Sequence, residues 1–404
     1  MTVVHEPSLF ELLKEAGVPQ ELAFPLDEYR ARQKRVQQIM EERGLDTLLV
    51  NNITDLCYLI GFQTFFSTWY SCLVLPRKGE PFLQTAELEV PATLVHGPVR
   101  DIVLYPWYEA TEAGAHLGPI LKERGLASGR IGVQLSGGLA AVDYERLKGA
   151  LPSARFEDVS GLVFELRVTK GPLEIDHLRK SAAITRRGVE AAQAALATAK
   201  TDNDLAAAAS TAMLAAGSEF FAIQPIFTTG HRTGLVHLNH KRIPLKTGDN
   251  VFMEMGGVYS RYCAPVMRTS VIGSPSPEVA RLAEISIRSL ELLVKEVRPG
   301  RTGHDVSIAV GKDLRQMEAA GSFYHAYFGY SVGACFPPHW GDGSMYIAEG
   351  VDTELRPGMT FHTARANRIP GRVGVGISET ILVTDTGCEV LTEGLPRELH
   401  VVER

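Results

Sequence analysis

Two acidic residues stand out because each interrupts the apolar pattern of a predicted β-strand. Glu254 lies inside a strand bounded by an entry turn and a pair of glycines, and Glu379 directly precedes a run of β-branched residues. An ionised carboxylate is costly to bury unless a cation or a hydrogen-bond donor compensates for it. An arginine such as Arg261 or Arg268 is one explanation, and a catalytic or ligand-binding role is the other.

Two histidines could exchange protons with these acids. His237 lies in a polar, turn-rich segment, and His362 lies among apolar residues of a predicted strand. An imidazole near its ordinary pKa can accept or donate a proton at neutral pH. Two acids and a histidine therefore suggest an acid–base site, although the spacing alone does not bring the residues together. A surface position is the alternative for His237.

A third histidine belongs to an unusual loop. His339, Trp340 and Asp342 follow Pro337-Pro338, which stiffens the backbone. The combination suits the binding of a small polar or cationic ligand, with the indole as a cation–π surface. Packing of Trp340 beneath a turn is the structural alternative.

The elements that position these residues fall into two regions. Up to about residue 160, short strands alternate with helices, which is typical of a small α/β domain. Gly171-Pro172 then marks a change, because proline suits the first turn of a helix. Beyond it the chain predicts two helices followed by antiparallel strands, and this order occurs twice. We therefore predict an α+β fold for the second region.

Composition excludes several functional classes. The chain has 404 residues and a formal net charge of −6, without a basic block that would indicate a nucleic-acid or anionic-membrane partner. No apolar run approaches the roughly 18 residues of a membrane helix. No secretory signal is visible, and the five cysteines are scattered without a CxxC pair. We expect a cytoplasmic protein with reduced thiols.

Several motifs together resemble the pita-bread-fold hydrolases, which include methionine aminopeptidase, prolidase, aminopeptidase P, creatinase and ectoine hydrolase. The motifs are Arg167–Ile175, Thr247–Asp249, Arg268-Thr269, Pro357–Met359 and Leu382–Thr384. The resemblance implies a creatinase/prolidase-like N-terminal domain at residues 1–160. It also implies a pita-bread catalytic domain at residues 161–404, with a pseudo-two-fold antiparallel sheet and four helices.

The peptidases of this family hold two metal ions on five side chains. The matching positions in this chain are Glu254, Pro265, Tyr330, Ala364 and Ser378. Proline and alanine offer no side-chain ligand, and hydroxyls replace imidazole and carboxylate poorly at a divalent-metal site. The resemblance therefore predicts no metal site and no cofactor.

The resemblance also implies roles for individual residues. His237 aligns with a histidine that acts as the proton shuttle in creatinase. Glu254 would pair with the substrate N–H groups or attack the carbon directly, and Glu379 would hold a second nitrogen or tune His237. The pocket would be shaped by Tyr330, His339, Trp340 and His362. Arg365, with Arg368 nearby, would add positive charge and favour a substrate that carries a carboxylate.

The predicted function is metal-independent hydrolysis of a non-peptide C–N bond in a small amidine, guanidino or cyclic amidine acid, similar to ectoine hydrolase. One alternative is an Xaa-Pro dipeptidase-like metallopeptidase, including a remodelled single-metal site at His237, Glu254 and Glu379. Another is an inactive protein of this fold that binds a small molecule.

The resemblance further implies a homodimer in which the first domain reaches the active site of its partner. The aromatic segment that contains Phe65 and Trp69 is the candidate for this contact. The alternative is that these aromatic side chains form ordinary core of the first domain.

Overall fold

The structure is a computed structural model that describes residues 9–109, 113–314 and 327–404. The chain divides into two compact units, Met1–Arg167 and Val168–Arg404. The predicted domain boundary, after residue 160, lies shortly before this division. Among the helices of the described residues, none combines the length and apolar composition needed to cross a membrane.

The first unit contains a six-stranded mixed sheet with helices, as the alternating pattern predicted. Its helices are α1 (Leu9–Ala16), α2 (Leu26–Arg43), α3 (Ile53–Ile60), α4 (Val90–His96), α5 (Ala113–Glu123), α6 (Ala141–Ala150) and α7 (Phe164–Arg167). Its strands are β1 (Thr47–Val50), β2 (Cys72–Pro76), β3 (Phe82–Ala86), β4 (Ile102–Tyr105), β5 (Gly129–Val133) and β6 (Ala154–Asp158). The strand order is β4-β3-β2-β1-β5-β6. The central strands are apolar because helices cover the sheet.

The second unit contains long helices and mainly antiparallel strands. Its helices are α8 (Pro172–Ala195), α9 (Asp202–Ala215), α10 (Pro277–Glu296) and α11 (Gly303–Leu314). The strands are β7 (Ile226–Thr229), β8 (Asn250–Met255), β9 (Val258–Tyr259), β10 (Tyr262–Cys263), β11 (Val266–Ile272), β12 (Tyr327–Phe336), β13 (His339–Ala348), β14 (Thr360–His362), β15 (Ala366–Ile369), β16 (Val373–Gly376), β17 (Thr380–Val383), β18 (Cys388–Val390) and β19 (His400–Val402). The predicted α+β class and the predicted order, two helices followed by strands and then repeated, are confirmed.

Three sheets hold the described strands of this unit. One has the order β19-β11-β8-β7, and β15 and β16 form a separate hairpin. The largest follows β18-β17-β14-β12-β10-β9, with β13 paired to β12. The side chains of β8 alternate between two hydrophobic clusters on the two faces of the strand. Val251, Met253 and Met255 pack with the cluster under α8 and α9, whereas Phe252 belongs to a different cluster with Met267.

The chain does not return from β8 to β11 as a simple hairpin. β11 does pair antiparallel with β8, but β9 and β10 intervene and join the largest sheet. Two features redirect the chain. Gly257 approaches α8 so closely that an added Cβ would lie 2.3 Å from Ile184, and Ser260 and Arg261 form the next turn with positive φ. Such a turn is a tertiary feature that strand periodicity does not reveal.

Candidate active site

A small cavity in the second unit brings together several of the predicted residues. Its volume is about 110 Å³, below the range of roughly 300–1,000 Å³ that is typical of sites for drug-sized ligands. The lining residues are Ile223, Ile226, Thr228, Leu235, Val236, His237, Leu238, Phe252, Glu254, Met267, Tyr327, Tyr330, Trp340, Ala364 and Arg368. Most of these side chains are apolar or aromatic, so the few polar groups determine which ligand the cavity accepts.

Glu254 is the acid in this cavity. It is 9% exposed, and no hydrogen bond to its side chain is found among the described residues. Burial raises its pKa to about 7, and the nearby Arg368 guanidinium acts in the opposite direction. Burial disfavours the charged form of a carboxyl group, so Glu254 is poised to lose or bind a proton near neutral pH.

Arg368 supplies the positive charge of the cavity. It is 5% exposed, and its guanidinium lies 5.1 Å from the centre of the Phe252 ring. Within the described part of the chain, its Nε and Nη1 have no hydrogen-bond partner. Burial lowers the pKa of Arg368, while Glu254 and Tyr327 favour its charged form. An arginine remains protonated near neutral pH, so these donors are available to an anionic group.

Tyr330 lies at the centre of a hydrogen-bonded chain behind the cavity. Trp340 Nε1 donates to Tyr330 Oη at 2.6 Å, and this oxygen is 2.8 Å from His362 Nδ1. His362 Nε2 is in turn 2.7 Å from Ser378 Oγ. Burial lowers the pKa of His362 to about 3, so the imidazole is neutral and carries one N–H hydrogen.

The hydrogen-bond partners of His362 show which of its ring nitrogens carries this hydrogen. Ser378 Oγ already accepts from the backbone N–H of Met267 at 2.7 Å, which leaves its own hydrogen to donate to His362 Nε2. Nδ1 then donates to Tyr330, whose own hydroxyl hydrogen is directed away from Trp340 and His362. The other tautomer would leave the buried Ser378 hydrogen without an acceptor, which is energetically costly. Burial, followed by the nearby Glu254, raises the pKa of Tyr330 and keeps this hydroxyl protonated.

His237 lines the same cavity from a turn after β7. Its backbone φ is +57°, an unusual value for a residue other than glycine. Asn239, two residues further along, holds this turn in place through two hydrogen bonds. Its side-chain Oδ1 accepts from the Phe227 N–H at 3.0 Å, and its backbone carbonyl accepts from Arg232 at 2.6 Å. The imidazole is exposed and therefore accessible to water and substrate.

Other predicted residues lie elsewhere. His339 is exposed at the start of β13 and does not line the cavity, because alternation along the strand turns Trp340 inward and His339 outward. His362 is buried and contributes only through Tyr330. Arg365 is 2% exposed and packs over Phe328 at 4.6 Å, so it does not supply the charge expected of it.

Glu379 is the clearest correction. Its carboxylate lies 2.7 Å from Arg268 Nη2 and 3.3 Å from Arg397 Nε, and it accepts a hydrogen bond from Thr392. It does not line the cavity that contains Glu254. Ser378 and Glu379 are adjacent in an extended segment, so their side chains point in opposite directions, and only Ser378 faces His362. We therefore exclude Glu379 from the candidate site.

Phe65 and Trp69 belong to the first unit. Phe65 is 98% exposed, and Trp69 stacks on Phe66 with ring centres 4.4 Å apart. Phe65 is therefore not core of its own unit. The predicted contact with a partner subunit stays a prediction.

The positions that hold metal in the family's peptidases do not form a ligand set here. Ser378 Oγ is engaged by Met267 and His362, and Pro265 offers only a backbone carbonyl, which already accepts from Thr380 at 2.7 Å. Among the described residues, no group of three or more His, Cys, Asp or Glu side chains could hold a metal ion. The residues present therefore do not fit the two-metal centre or the single-metal alternative with His237, Glu254 and Glu379.

Arg368 is the functional candidate that the sequence reasoning ranked too low. In β15 the side chains alternate: Asn367 Nδ2 donates to Ser286 on α10 at 2.8 Å, whereas Ala366 faces the cluster that contains Phe252. Arg368 shares the face of Ala366. Alternation starting from Ala364, which occupies a metal-ligand position, would have favoured Arg368 over Arg365.

The comparisons with known proteins agree with this architecture. The family model for "Metallopeptidase family M24" matches residues 176–385, and that for "Creatinase/Prolidase N-terminal domain" matches residues 32–169. Ectoine hydrolase from Halomonas elongata is 29% identical, with 94% of this chain and 98% of that protein covered. An uncharacterized hydrolase/peptidase from Sinorhizobium fredii is 31% identical over the same share of each chain.

Solved structures show the same fold. Dipeptidase PepE from Mycobacterium ulcerans has a TM-score of 0.79 and 28% identity, covering 94% of this chain and all of that chain (100%). The X-Pro aminopeptidase of Thermotoga maritima also has a TM-score of 0.79, with 22% identity, 92% of this chain covered and 99% of that chain. The predicted pita-bread fold with a preceding N-terminal domain is confirmed. The chain therefore belongs to metallopeptidase family M24, and it is a hydrolase of that family.

Proposed function

We propose that this protein hydrolyses a non-peptide C–N bond in a small amidine, guanidino or cyclic amidine acid without a metal ion. The observation that carries the proposal is the state of Glu254. It is a buried carboxyl group that faces a small cavity, receives no hydrogen bond from any described residue, and shares the cavity with His237 and Arg368. The retained acid occupies one of the family's metal-ligand positions, while the other four positions lack suitable ligands.

A cationic substrate would supply the hydrogen-bond donors that Glu254 lacks. An amidinium or guanidinium group donates paired N–H hydrogens in a plane, which matches a carboxylate in a two-point, charge-assisted contact. Its central carbon already bears positive charge, so water can attack it without activation by a Lewis acid. A substrate bound in this way would orient that carbon and stabilise the ionised form of Glu254.

His237 would move the protons of the reaction. The imidazole accepts a proton as the water oxygen bonds to the amidine carbon, and it returns a proton to the nitrogen as the C–N bond breaks. The products are an amide or urea at the former amidine carbon and a free amine, so water supplies every added atom. The Tyr330 hydroxyl would donate a hydrogen bond to charge that develops on the substrate.

Direct attack by Glu254 is a second route to the same products. The carboxylate oxygen would bond to the amidine carbon, and the C–N bond would break as His237 gives a proton to the leaving amine. Water would then hydrolyse the C–O bond of the Glu254 adduct, releasing the amide or urea and restoring the carboxylate. The two routes differ in one measurable species. A rapidly quenched reaction analysed by intact-protein mass spectrometry shows added mass on the protein only if the covalent route operates.

Peptide hydrolysis is the rival function, and the comparisons give it specific support. PepE, to which this chain is 28% identical, is named a dipeptidase, and the chain is 27% identical to Xaa-Pro dipeptidase from Pyrococcus furiosus. The ectoine hydrolase relative supports the non-peptide reaction at similar identity. The residues at the metal-ligand positions favour the non-peptide reaction. A catalytically inactive binding protein is the third candidate, and the presence of His237 in the cavity argues against it.

One screen tests these possibilities. Purified protein, with its metal content measured, is incubated with ectoine, hydroxyectoine, creatine, related amidino acids and a set of Xaa-Pro dipeptides, and products are identified by mass spectrometry. We expect a product from a member of the amidine group, unchanged by a chelator and absent with Glu254→Gln. Dipeptide cleavage that is lost with chelator and restored by manganese would overturn the proposal.

We also propose that the protein forms a homodimer through the first unit. Phe65 is 98% and Phe66 52% exposed, and Trp69 extends this aromatic group towards Trp107, whose ring centre is 6.3 Å away. Exposed aromatic clusters of this kind are typical of protein interfaces. The proposal rests on this exposure and on the resemblance to dimeric members of the family.

A further inference from the structure

We propose that Arg368 binds the carboxylate of the substrate and thereby selects zwitterions, molecules that carry a cationic C–N group for Glu254 and a carboxylate for Arg368. The inference rests on the proposed function for the identity of the reacting group. It adds a second recognition point and assigns it to a residue.

The first observation is that Arg368 is buried with unused donors. At 5% exposure, two of its guanidinium nitrogens, Nε and Nη1, lack a hydrogen-bond partner among the described residues. Buried charged groups are ordinarily paired, because an unpaired donor in a low-dielectric site loses its hydration without replacement. Arg368 lines the cavity, so a ligand can reach this side chain. A carboxylate has the geometry and charge to accept two of its N–H bonds at once.

The second observation separates this role from simple neutralisation of Glu254. Where this unit neutralises buried charges, it does so by direct contact. Arg268 lies 2.7 Å from Glu379, and Lys170 lies 2.5 Å from Asp342. No such ion pair joins Arg368 to Glu254 among the described contacts, although both line one cavity. The two charges therefore remain available to a ligand of complementary charge at each end.

The third observation is that the backbone around Arg368 is firmly positioned. Arg368 is opposite Gly374 in the β15–β16 pair, and a Cβ at Gly374 would lie 2.9 Å from Arg368 Cγ. Glycine there leaves room for the arginine stem. The Gly374 N–H donates to Thr233 Oγ1 at 2.8 Å, and Asn367 anchors the hairpin to α10. A charged group held in this way can discriminate between ligands by position as well as by charge.

The size of the cavity limits the ligand. A volume of about 110 Å³ admits a compact molecule whose cationic and anionic groups are separated by only a few atoms. Amidino and guanidino derivatives of small amino acids have their two charged groups at this separation.

The test compares ligands that differ only in the carboxylate. Calorimetry at about pH 8 measures the binding of ectoine and of the same cyclic amidine without its carboxylate, and of creatine and dimethylguanidine. The protein carries His237→Ala, which removes the proposed proton transfer and keeps Glu254 and Arg368. We expect at least one acid to bind roughly 10- to 100-fold more tightly than its decarboxylated partner, as a charge-assisted hydrogen bond provides. Arg368→Gln in the same background should reduce this preference to less than about threefold.

Arg372→Gln is the matched control. Arg372 lies in the same hairpin, but it is exposed and pairs with Glu278 at 2.6 Å, so its variant should retain the full preference. Equal affinity of the His237→Ala protein for each acid and its partner overturns the inference, as does loss of both affinities together when Arg368→Gln is added to that folded protein. Because binding is measured without turnover, a carboxylate preference with no product would remove the proposed reaction alone. Product formation without a preference would remove the inference alone.

Discussion

Glu379 and Arg268 form a buried ion pair, with 2.7 Å between Oε1 and Nη2 and with both side chains 1% exposed. Arg268 also donates to the carbonyls of Ser378 and Pro396, at 2.6 and 2.8 Å. This pair joins β11 to the segment before β17. The ion pair gives Glu379 a structural role that is separate from the chemistry of the cavity.

We expect Glu379→Gln to destabilise the protein without abolishing its reaction. The substitution leaves the Arg268 charge buried without its anion, which costs about 3 kcal/mol in comparable cases. Urea denaturation measures the loss, and turnover per folded molecule should stay unchanged. Glu389→Gln is the control, because its partner Arg179 is exposed and such a pair contributes below about 1 kcal/mol. Lost turnover in a stable Glu379→Gln protein would return Glu379 to the site.

Glu254→Gln should show the opposite behaviour, with lost turnover and a preserved fold. The pKa of Glu254 is about 7 in the folded protein and 4.5 ordinarily, so the folded state binds the proton more tightly. The contribution of this carboxyl to stability therefore falls as pH rises from about 4.5 to 7 and is constant above, by about 3 kcal/mol in total.

The glutamine variant lacks this titration. Its stability relative to the unaltered protein should therefore increase between about pH 5 and pH 8, as followed by urea midpoints at each pH. In the unaltered protein, kcat/KM should rise as pH increases through about 7, because it reports the free enzyme, in which the ionised carboxylate is the active form. A stability difference that is the same at both pH values would contradict the raised pKa.

Tyr330→Phe should reduce turnover by roughly 100-fold, the usual effect of removing one donor to developing charge. It also leaves Trp340 Nε1 and His362 Nδ1 without their shared partner, so some loss of stability will accompany it. Ser378→Ala provides the comparison, because it alters the orientation of the Tyr330 hydrogen through His362 but keeps the hydroxyl. We expect a smaller decrease in turnover for this variant, with little change in KM. Full turnover of Tyr330→Phe would exclude the hydroxyl from the mechanism.

Gly374→Ala should weaken ligand binding from outside the cavity. A Cβ at this position would lie 2.1 Å from the Thr233 carbonyl oxygen, so the hairpin and the turn before His237 must separate. Because Arg368 and His237 lie on these two segments, their spacing would change. Overpacking of this kind costs roughly 1–3 kcal/mol, measurable as a lower melting temperature.

Gly371→Ala is the control, because no atom lies within 4 Å of its added Cβ and only its positive φ is strained. Equal effects of the two variants would contradict the coupling.

Phe65→Ser should weaken dimer formation without lowering the melting temperature of the dissociated protein. Its side chain is 98% exposed, so the substitution removes no packing within its own unit. Light scattering over a range of concentrations measures the change in the dissociation constant. Val142→Ser, at a 53% exposed position of α6, is the control. A monomeric unaltered protein would contradict the proposed assembly.

The sequence alone predicted the α+β class and the repeated order of helices and strands, and it singled out Glu254 as a candidate site residue. These features depend on local periodicity and on the high cost of burying an acid in an apolar strand. The family resemblance also predicted the loss of metal ligands, because it places Pro265 and Ala364 at ligand positions and neither can coordinate a metal through its side chain.

Only the tertiary structure decided which polar groups meet. Glu254 and Glu379 look alike in sequence, yet one faces the cavity and the other pairs with Arg268. Arg365 and Arg368 also look alike in sequence and are only three residues apart. The alternation of side chains along β15 directs only Arg368 into the site. A one-residue difference in strand register reverses the direction of a side chain, and the register is set by long-range pairing that local composition does not encode.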